Sequence, residues 1–215
     1  MQILRGTWSS LLDFLAPLAC PLCGGRLTAD WRCPPCGLPA DGPLRQLRAD
    51  RQGVFLVMAG GAYLAGLREV VHAWKFRADP GAQRIVARST ARALGEPQSW
   101  DALVPVPAHR RRLRERGWEP AGELALAVGR ASTLPVRRHL LRVRDTPPLT
   151  GRPAAERRLL VRAAFRAKPT AGRILVVDDV ATTGATFRAC RQALLAAGAR
   201  SADLLVAAAT PRRFL

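Results

Sequence analysis

Ile174 to Val177 are four consecutive branched apolar residues, the pattern of a strand buried on both faces, since neither side of it can meet water. Asp178 and Asp179 end it, and a run of small residues, Ala181-Thr182-Thr183-Gly184-Ala185-Thr186, opens into Phe187 to Ala197. That last segment has helix-favouring composition, and Gly198 stands as its C-terminal stop. Upstream, Ile3 to Ala16 places Leu4, Trp8, Leu11, Leu12 and Leu15 on one helical face. Val54 to Ala59 reads as a strand, Tyr63 to Phe76 as a helix with Leu64, Leu67, Val70, Val71 and Trp74 on a broad apolar face, and Arg84 to Leu94 as another helix. Asp101 to Pro107 predicts a short parallel strand whose prolines force an extended exit. Ala121 to Val128 reads as helix, Val136 to Val143 as strand, Asp145 to Pro153 as a proline-rich loop, Ala154 to Phe165 as a basic helix and Leu204 to Ala208 as the last strand. This alternation predicts an α/β fold, a mainly parallel sheet flanked by helices with its site at the strand C-termini. Asp41 to Gln52 is polar and reads as a linker. The chain thus divides into an N-terminal helix (1–16), a cysteine module (17–40), the linker (41–52) and the α/β domain (53–215).

At 215 residues and 48% hydrophobic content the chain can bury a substantial core. Its net charge is +18, and two segments carry most of it. Arg110 to Arg116 holds five arginines against Glu115, and Arg137 to Arg173 holds eleven cations against Asp145 and Glu156, so +13 of the +18 precedes the small-residue loop. Such concentration suits a polyanion, nucleic acid or a pyrophosphate-bearing substrate; a solvated basic surface is the plainer alternative. Candidate nucleic-acid contacts are Arg110, Arg111, Arg112, Arg114, Arg116, Arg157 and Arg158, with Trp31, Trp74 or Trp118 as stacking residues. His109, in the same run, is either a phosphate contact or a surface histidine.

No run of 18 apolar residues exists to span a membrane. Leu11 to Cys20 has the outline of a signal segment, but Asp13 interrupts it and Arg5 is its only upstream basic residue, so the reading is cytoplasmic.

Cys20-Pro-Leu-Cys23 and Cys33-Pro-Pro-Cys36 are each followed by glycine, Gly24 and Gly37. Two such knuckles converge four thiolates on one tetrahedral Zn²⁺, the glycines supplying the positive φ that the turns require. Four cysteines leave no open coordination position, so the zinc is structural. A pair of disulfides is the alternative, disfavoured in a reducing cytoplasm. Cys190, inside the last helix, reads as a small buried hydrophobe.

Strand, small-residue loop and helix together make an anion site: loop and helix N-terminal N–H groups point outward, and the helix dipole adds partial positive charge. Carboxylates beside it suit the uncharged or cationic part of a ligand, a sugar diol or a bound Mg²⁺. A phosphate at one end and a diol in the middle describe a ribose 5-phosphate. The stretch Asp178, Asp179, Ala181, Thr182, Thr183, Gly184, Ala185 and Thr186 resembles the phosphoribosyl pyrophosphate (PRPP) loop of type I phosphoribosyltransferases.

Over essentially the whole chain, the four-cysteine module, Trp74-Lys75-Phe76-Arg77, Val104-Pro105-Val106-Pro107, Arg116-Gly117-Trp118, the Thr146-Pro147 loop, Ala163-Ala164-Phe165 and the PRPP loop look like the ComF family. The resemblance implies a phosphoribosyltransferase-like fold with a zinc ribbon, linked to natural competence, where imported single-stranded DNA is handled together with uptake or recombination proteins. It places Pro105, Val106 and Pro107 as the pyrophosphate loop and Thr146 to Arg157 as a loop that closes over ligand, with Mg²⁺ accompanying PRPP. Trp118-Glu119-Pro120 stands where the family has Phe-Asn-Gln, and Leu149 and Leu160 replace a glutamine and an asparagine, so four amide side chains are absent. Three functions fit: a competence factor binding single-stranded DNA, a phosphoribosyltransferase acting on a nucleobase or amine, and a PRPP-responsive regulator. No base-selecting hood is identifiable.

Overall fold

The computed structural model describes residues 19–28, 32–37, 42–95, 100–143 and 164–210. The expected N-terminal helix, the Thr146–Arg157 loop, most of the 154–165 helix, Trp31, Arg157 and Arg158 lie outside them.

Five strands form one sheet in the order β1 (Leu44–Asp50), β2 (Gly53–Ala59), β7 (Ser201–Ala209), β6 (Arg173–Ala181), β3 (Ala102–Pro105). β2, β7, β6 and β3 run parallel, and β1 pairs antiparallel with β2 at the edge. The sheet is mainly parallel and flanked by helices, as the alternation predicts. The central strand is buried on both faces, Ile174 to Val177 being at most 2% exposed. Its successive side chains alternate between two cores, Leu175 and Val177 on one face, Ile174 and Val176 on the other. It does not end at the carboxylates, however. The ladder to β7 continues through Asp178 and Val180 to Ala181, so the two acids stand within a strand rather than after it.

One face carries α1 (Ala65–Arg77), α2 (Pro80–Leu94) and α4 (Pro120–Ser132), packed through Val70, Trp74, Ile85, Leu94 and Leu124. Cys20, Leu27 and Cys33 belong to this same core. α2 starts four residues before its expected position, because Asp79 caps it by accepting from the Ala82 N–H at 2.8 Å and Pro80 presets the first turn. The other face carries α5 (Ala185–Ala196) with a separate hairpin-like pair, β4 (Leu140–Arg142) and β5 (Phe165–Ala167). Short α3 (Arg110–Arg116) follows β3.

The polar stretch 41–52 is corrected by this structure: most of it is β1, not linker. β1 turns Gln46, Arg48 and Asp50 inward and leaves Leu47 69% exposed. Polar side chains on the half-covered face of an edge strand erase the hydrophobic alternation by which strands are recognised. Asp50 is held there by Arg191 of α5, 3% exposed, whose guanidinium pairs with Asp50 at 2.5 Å and donates to the carbonyls of Gln52, Val54 and Ala202. The Arg191 guanidinium also lies 5.1 Å from the Phe55 ring centroid. The 136–143 segment likewise forms less strand than expected, a single bridge of Val136 to Leu103 preceding β4. Among the described residues no helix is long and apolar enough to cross a membrane.

Candidate functional site

β6 delivers Asp178 and Asp179 to the end of the sheet, where the chain turns through Thr182, Thr183 and Gly184 into α5. Gly184 adopts φ 67°, a left-handed conformation open to glycine at no steric cost, and caps the helix without a side chain. The Arg188 N–H closes the first helical bond to Gly184 O at 2.9 Å, and its guanidinium donates to Thr183 O at 2.6 Å, bracing the loop from behind. A small recess lined by Asp178, residues 180–187, Leu204 and Val206 lies at the N-terminus of α5, where the Ala185 N–H donates to Thr183 Oγ1 at 3.4 Å. Its volume, about 40 Å³, accommodates a few waters at most. A sugar phosphate must sit at its mouth or open the loop.

The two carboxylates part company. Asp178 lines the recess on the α5 side, its Oδ1 accepting from the Asp179 N–H at 2.8 Å. Asp179 faces α1, where Lys75 Nζ lies 2.7 Å from its Oδ2, and both side chains are about one-fifth exposed. Burial, and secondarily the charge of Asp179, push Asp178 up to about 8, against the downward pull of that N–H, Lys75 and Arg142. Asp178 is thus mostly neutral at pH 7. Cys190, fully buried as expected, is pushed well above the ordinary thiol range by its burial and by Asp178. The Lys75 contact has no counterpart among the sequence expectations. The one signal for it is rarity, since Lys75 and Lys168 are the only lysines in an arginine-rich chain.

Pro105 ends β3 opposite Val177, and the Val106 N–H extends the ladder by donating to Val177 O at 2.9 Å. Pro105-Val106-Pro107 is therefore held beside the acids at the same end of the sheet. Glu119 pins the continuation, accepting from the Ala108 N–H and from Arg138, each at 2.8 Å. The position where the resembled family carries an asparagine thus holds a structural carboxylate. His109 Nδ1 accepts from the Arg111 N–H at 3.2 Å as the cap of α3, a local structural use.

Lys75 is also one wall of a larger cleft, about 590 Å³, between the end of α1 and α3, lined by Phe76, Arg77, Arg112, Glu115, Arg116 and Trp118 among others. Of the expected arginine contacts, Arg112 and Arg116 line it, Arg111 is engaged by Glu115 at 2.8 Å, and Arg114 is exposed in the last turn of α3. The backbone of Arg110 begins α3. Trp74 is 1% exposed with Trp118 against it, ring centroids 5.6 Å apart, so both serve packing.

The four cysteines meet. The Sγ atoms of Cys20, Cys23, Cys33 and Cys36 all lie within 4.8 Å of one another, with Cys23 and Cys33 3.5 Å and Cys20 and Cys36 4.0 Å apart. Zn–S bonds of about 2.3 Å in a tetrahedron require sulfur separations of about 3.8 Å, so the residues fit the ion. The Leu22 and Gly25 N–H groups point at Cys20 and Cys23 sulfur at 3.5 and 3.4 Å, favouring thiolates. Gly24 and Gly37 take φ 71° and 66°, the positive values expected of them. The module rests on α2, where Gly81 passes so close that a Cβ there would stand 2.7 Å from Ala19 O.

No family model matches the chain, and no curated protein sequence matches it. Among solved structures it is similar to an orotate phosphoribosyltransferase from Aeropyrum pernix, at 16% identity over 81% of this chain and 90% of that one, with TM-score 0.39. It is similar also to the glutamine phosphoribosylpyrophosphate amidotransferase from B. subtilis complexed with ADP and GMP (18% identity over 75% of this chain, TM-score 0.42). A third is an allosteric regulatory enzyme of purine biosynthesis (18% identity over 75% of this chain, TM-score 0.40). The chain spans 35% and 34% of the length of the latter two.

Proposed function

We propose that this is a ComF-like cytoplasmic protein that binds Mg²⁺-PRPP at the β6–α5 loop and handles single-stranded DNA during natural transformation. One observation carries the PRPP reading: Asp178, the Thr182–Thr186 loop, the α5 N-terminus and Pro105-Val106-Pro107 share one end of the sheet, with Lys75 beside them. Phosphate would be held by the loop N–H groups and the threonine hydroxyls, and the ribose diol or the Mg²⁺ by the carboxylates. The four cysteines would hold a structural Zn²⁺ that fixes the N-terminal module to α1 and α2. The DNA-uptake role rests on the family resemblance and on the concentrated arginines.

Calorimetric titration of Mg²⁺-PRPP into zinc-loaded protein, beside the Asp178→Asn, Asp179→Asn double variant, tests the ligand. Binding that the variant loses supports the reading, and a folded wild type that takes up no heat rejects it. Deletion in a transformable host tests the role, which falls if transformation proceeds at the parental frequency.

Lys75 favours a second reading. It pairs with Asp179 and lines the arginine cleft, so PRPP occupancy would regulate what the cleft binds.

A further inference from the structure

We propose that the cleft between the end of α1 and α3 binds a nucleotide unit of a single strand, with the Phe76–Arg116 pair stacking its base and Arg77 and Arg112 holding the flanking phosphates. This inference rests on the nucleic-acid reading above and gives it a location.

Phe76 is 61% exposed. A lone exposed aromatic is ordinary, but this one has two planar neighbours: the Arg116 guanidinium lies over the ring 5.0 Å from its centroid, and the His72 ring lies 4.5 Å away on the same helix, tilted by 38°. An aromatic ring with a planar guanidinium laid over it offers the kind of surface on which unpaired bases stack. The cleft beside it, about 590 Å³, is in the range of pockets that take a small ligand.

Charge selects the ligand. Glu115 is held by Arg111 and Lys75 by Asp179. That leaves Arg77, Arg112 and Arg116 in the cleft with no acid among the described residues paired to them. Two guanidiniums, Arg77 and Arg112, beside a surface built on Phe76 and Arg116 match an anion attached to a flat ring. An acidic peptide would use the cations and leave Phe76 idle. A free mononucleotide would satisfy the cleft alone, so competition with dTMP separates it from a strand. A duplex hides the base faces that Phe76 would meet. Of the tryptophans expected to do this work, Trp118 lines the cleft and Trp74 is buried against it in the core.

Fluorescence anisotropy of labelled oligo(dT) of about twelve nucleotides, within the range of single-strand site sizes, tests the assignment on zinc-loaded full-length protein, beside a mixed-sequence duplex of equal length and competing dTMP. Phe76→Ala, and Phe76→Leu which keeps apolar bulk without a π face, should each weaken oligo(dT) binding by about tenfold and leave the salt slope unchanged. The Arg77→Ala, Arg112→Ala double variant should reduce the slope of log affinity against log salt by about 1.4, about 0.7 for each phosphate of a single strand that is no longer neutralised. Arg200→Ala, at the opposite end of the sheet, should behave as wild type. If wild type binds oligo(dT) and the Phe76 and double-arginine variants bind it equally well, the cleft assignment is overturned while the nucleic-acid reading survives. Preference for the duplex, or dTMP displacing the strand at equal nucleotide concentration, also overturns the assignment to a single strand. If folded wild type binds no oligo(dT) at low salt, the nucleic-acid reading itself fails.

Discussion

Lys75 Nζ and Asp179 Oδ2 stand 2.7 Å apart across the gap between α1 and the central strand, so one acid of the loop is neutralised by a cation from a helix more than a hundred residues earlier. The pair is too shielded to count as a surface salt bridge, which contributes at most about 1 kcal/mol. It is wetter than a fully buried one, whose disruption costs about 3–5 kcal/mol. Lys75→Met should therefore destabilise by about 2 kcal/mol in urea denaturation, between those two limits. Adding Asp179→Asn should restore most of that loss, since the cost lies in the stranded carboxylate. Additive losses in the double variant would refute the pairing.

Asp178 makes the site pH-sensitive, and the direction follows from its raised value of about 8. Unfolded, the same carboxyl ionises near its ordinary 3.8, so between about pH 4 and 8 the native state keeps a proton that the unfolded state has released. Its contribution to stability is complete below pH 4 and is lost as pH rises through 8, at up to about 1.4 kcal/mol per pH unit. Asp178→Asn stays neutral throughout and should gain on wild type steadily over that window, in denaturation at about pH 5, 7 and 9. A stability difference independent of pH would remove the argument. Ligand that needs the carboxylate must also expel its proton, so binding at pH 7 should release close to one proton, read from calorimetry in buffers of different ionisation heat.

How far the sequence reveals this molecule depends on which force wrote each segment. Burial on both faces leaves a continuous apolar run, so Ile174–Val177 and the parallel sheet around it are legible. The cysteine knuckles are legible because coordination geometry demands a fixed spacing. β1 is not, because Gln46, Arg48 and Asp50 point inward and their partners are remote. Arg191 lies more than 130 residues from Asp50, Gln52 and Val54, and nothing local marks a buried arginine among the other cations. The site divides the same way. The loop announces itself through small residues and a required glycine, whereas the separation of Asp178 from Asp179 comes from strand alternation continuing past Val177. Lys75 and Phe76 stand in a short motif that assigns them no role, since their partners Asp179 and Arg116 meet them only in three dimensions.

The cysteine module shares a core with the α/β domain, because Cys20, Leu27 and Cys33 pack in the same cluster as Val70 and Trp74. Chelating zinc, or Cys33→Ser, should therefore lower the melting temperature of the whole protein in one transition rather than release a separate module. A loss of about 3 kcal/mol would appear as roughly 6–12 °C at this chain length. Gly81→Val tests the junction without touching a ligand: a side chain there meets Ala19 O, backbone that cannot move aside cheaply. It should lower the melting temperature while the protein still binds one equivalent of zinc. Two separate transitions in wild type would show that the module stands apart.

Lys75 also gives the two proposed sites a common element. Mg²⁺ or a ribose hydroxyl arriving at Asp179 competes for the carboxylate that holds the ammonium, and a displaced Lys75 becomes a further cation in the arginine cleft. Mg²⁺-PRPP should then tighten oligo(dT) binding, and oligo(dT) must tighten Mg²⁺-PRPP binding by the same factor, since linkage is reciprocal. About fivefold, the lower end of common couplings, is the expected size for one charge released near a solvated strand. Lys75→Met removes the shared cation and should abolish the coupling while oligo(dT) still binds through Phe76 and the arginines. The decisive measurement is anisotropy of labelled oligo(dT) with and without saturating Mg²⁺-PRPP, in both proteins at one ionic strength. Equal affinities with and without Mg²⁺-PRPP in wild type would make the two sites independent, and coupling that persists in Lys75→Met would have to run through another path.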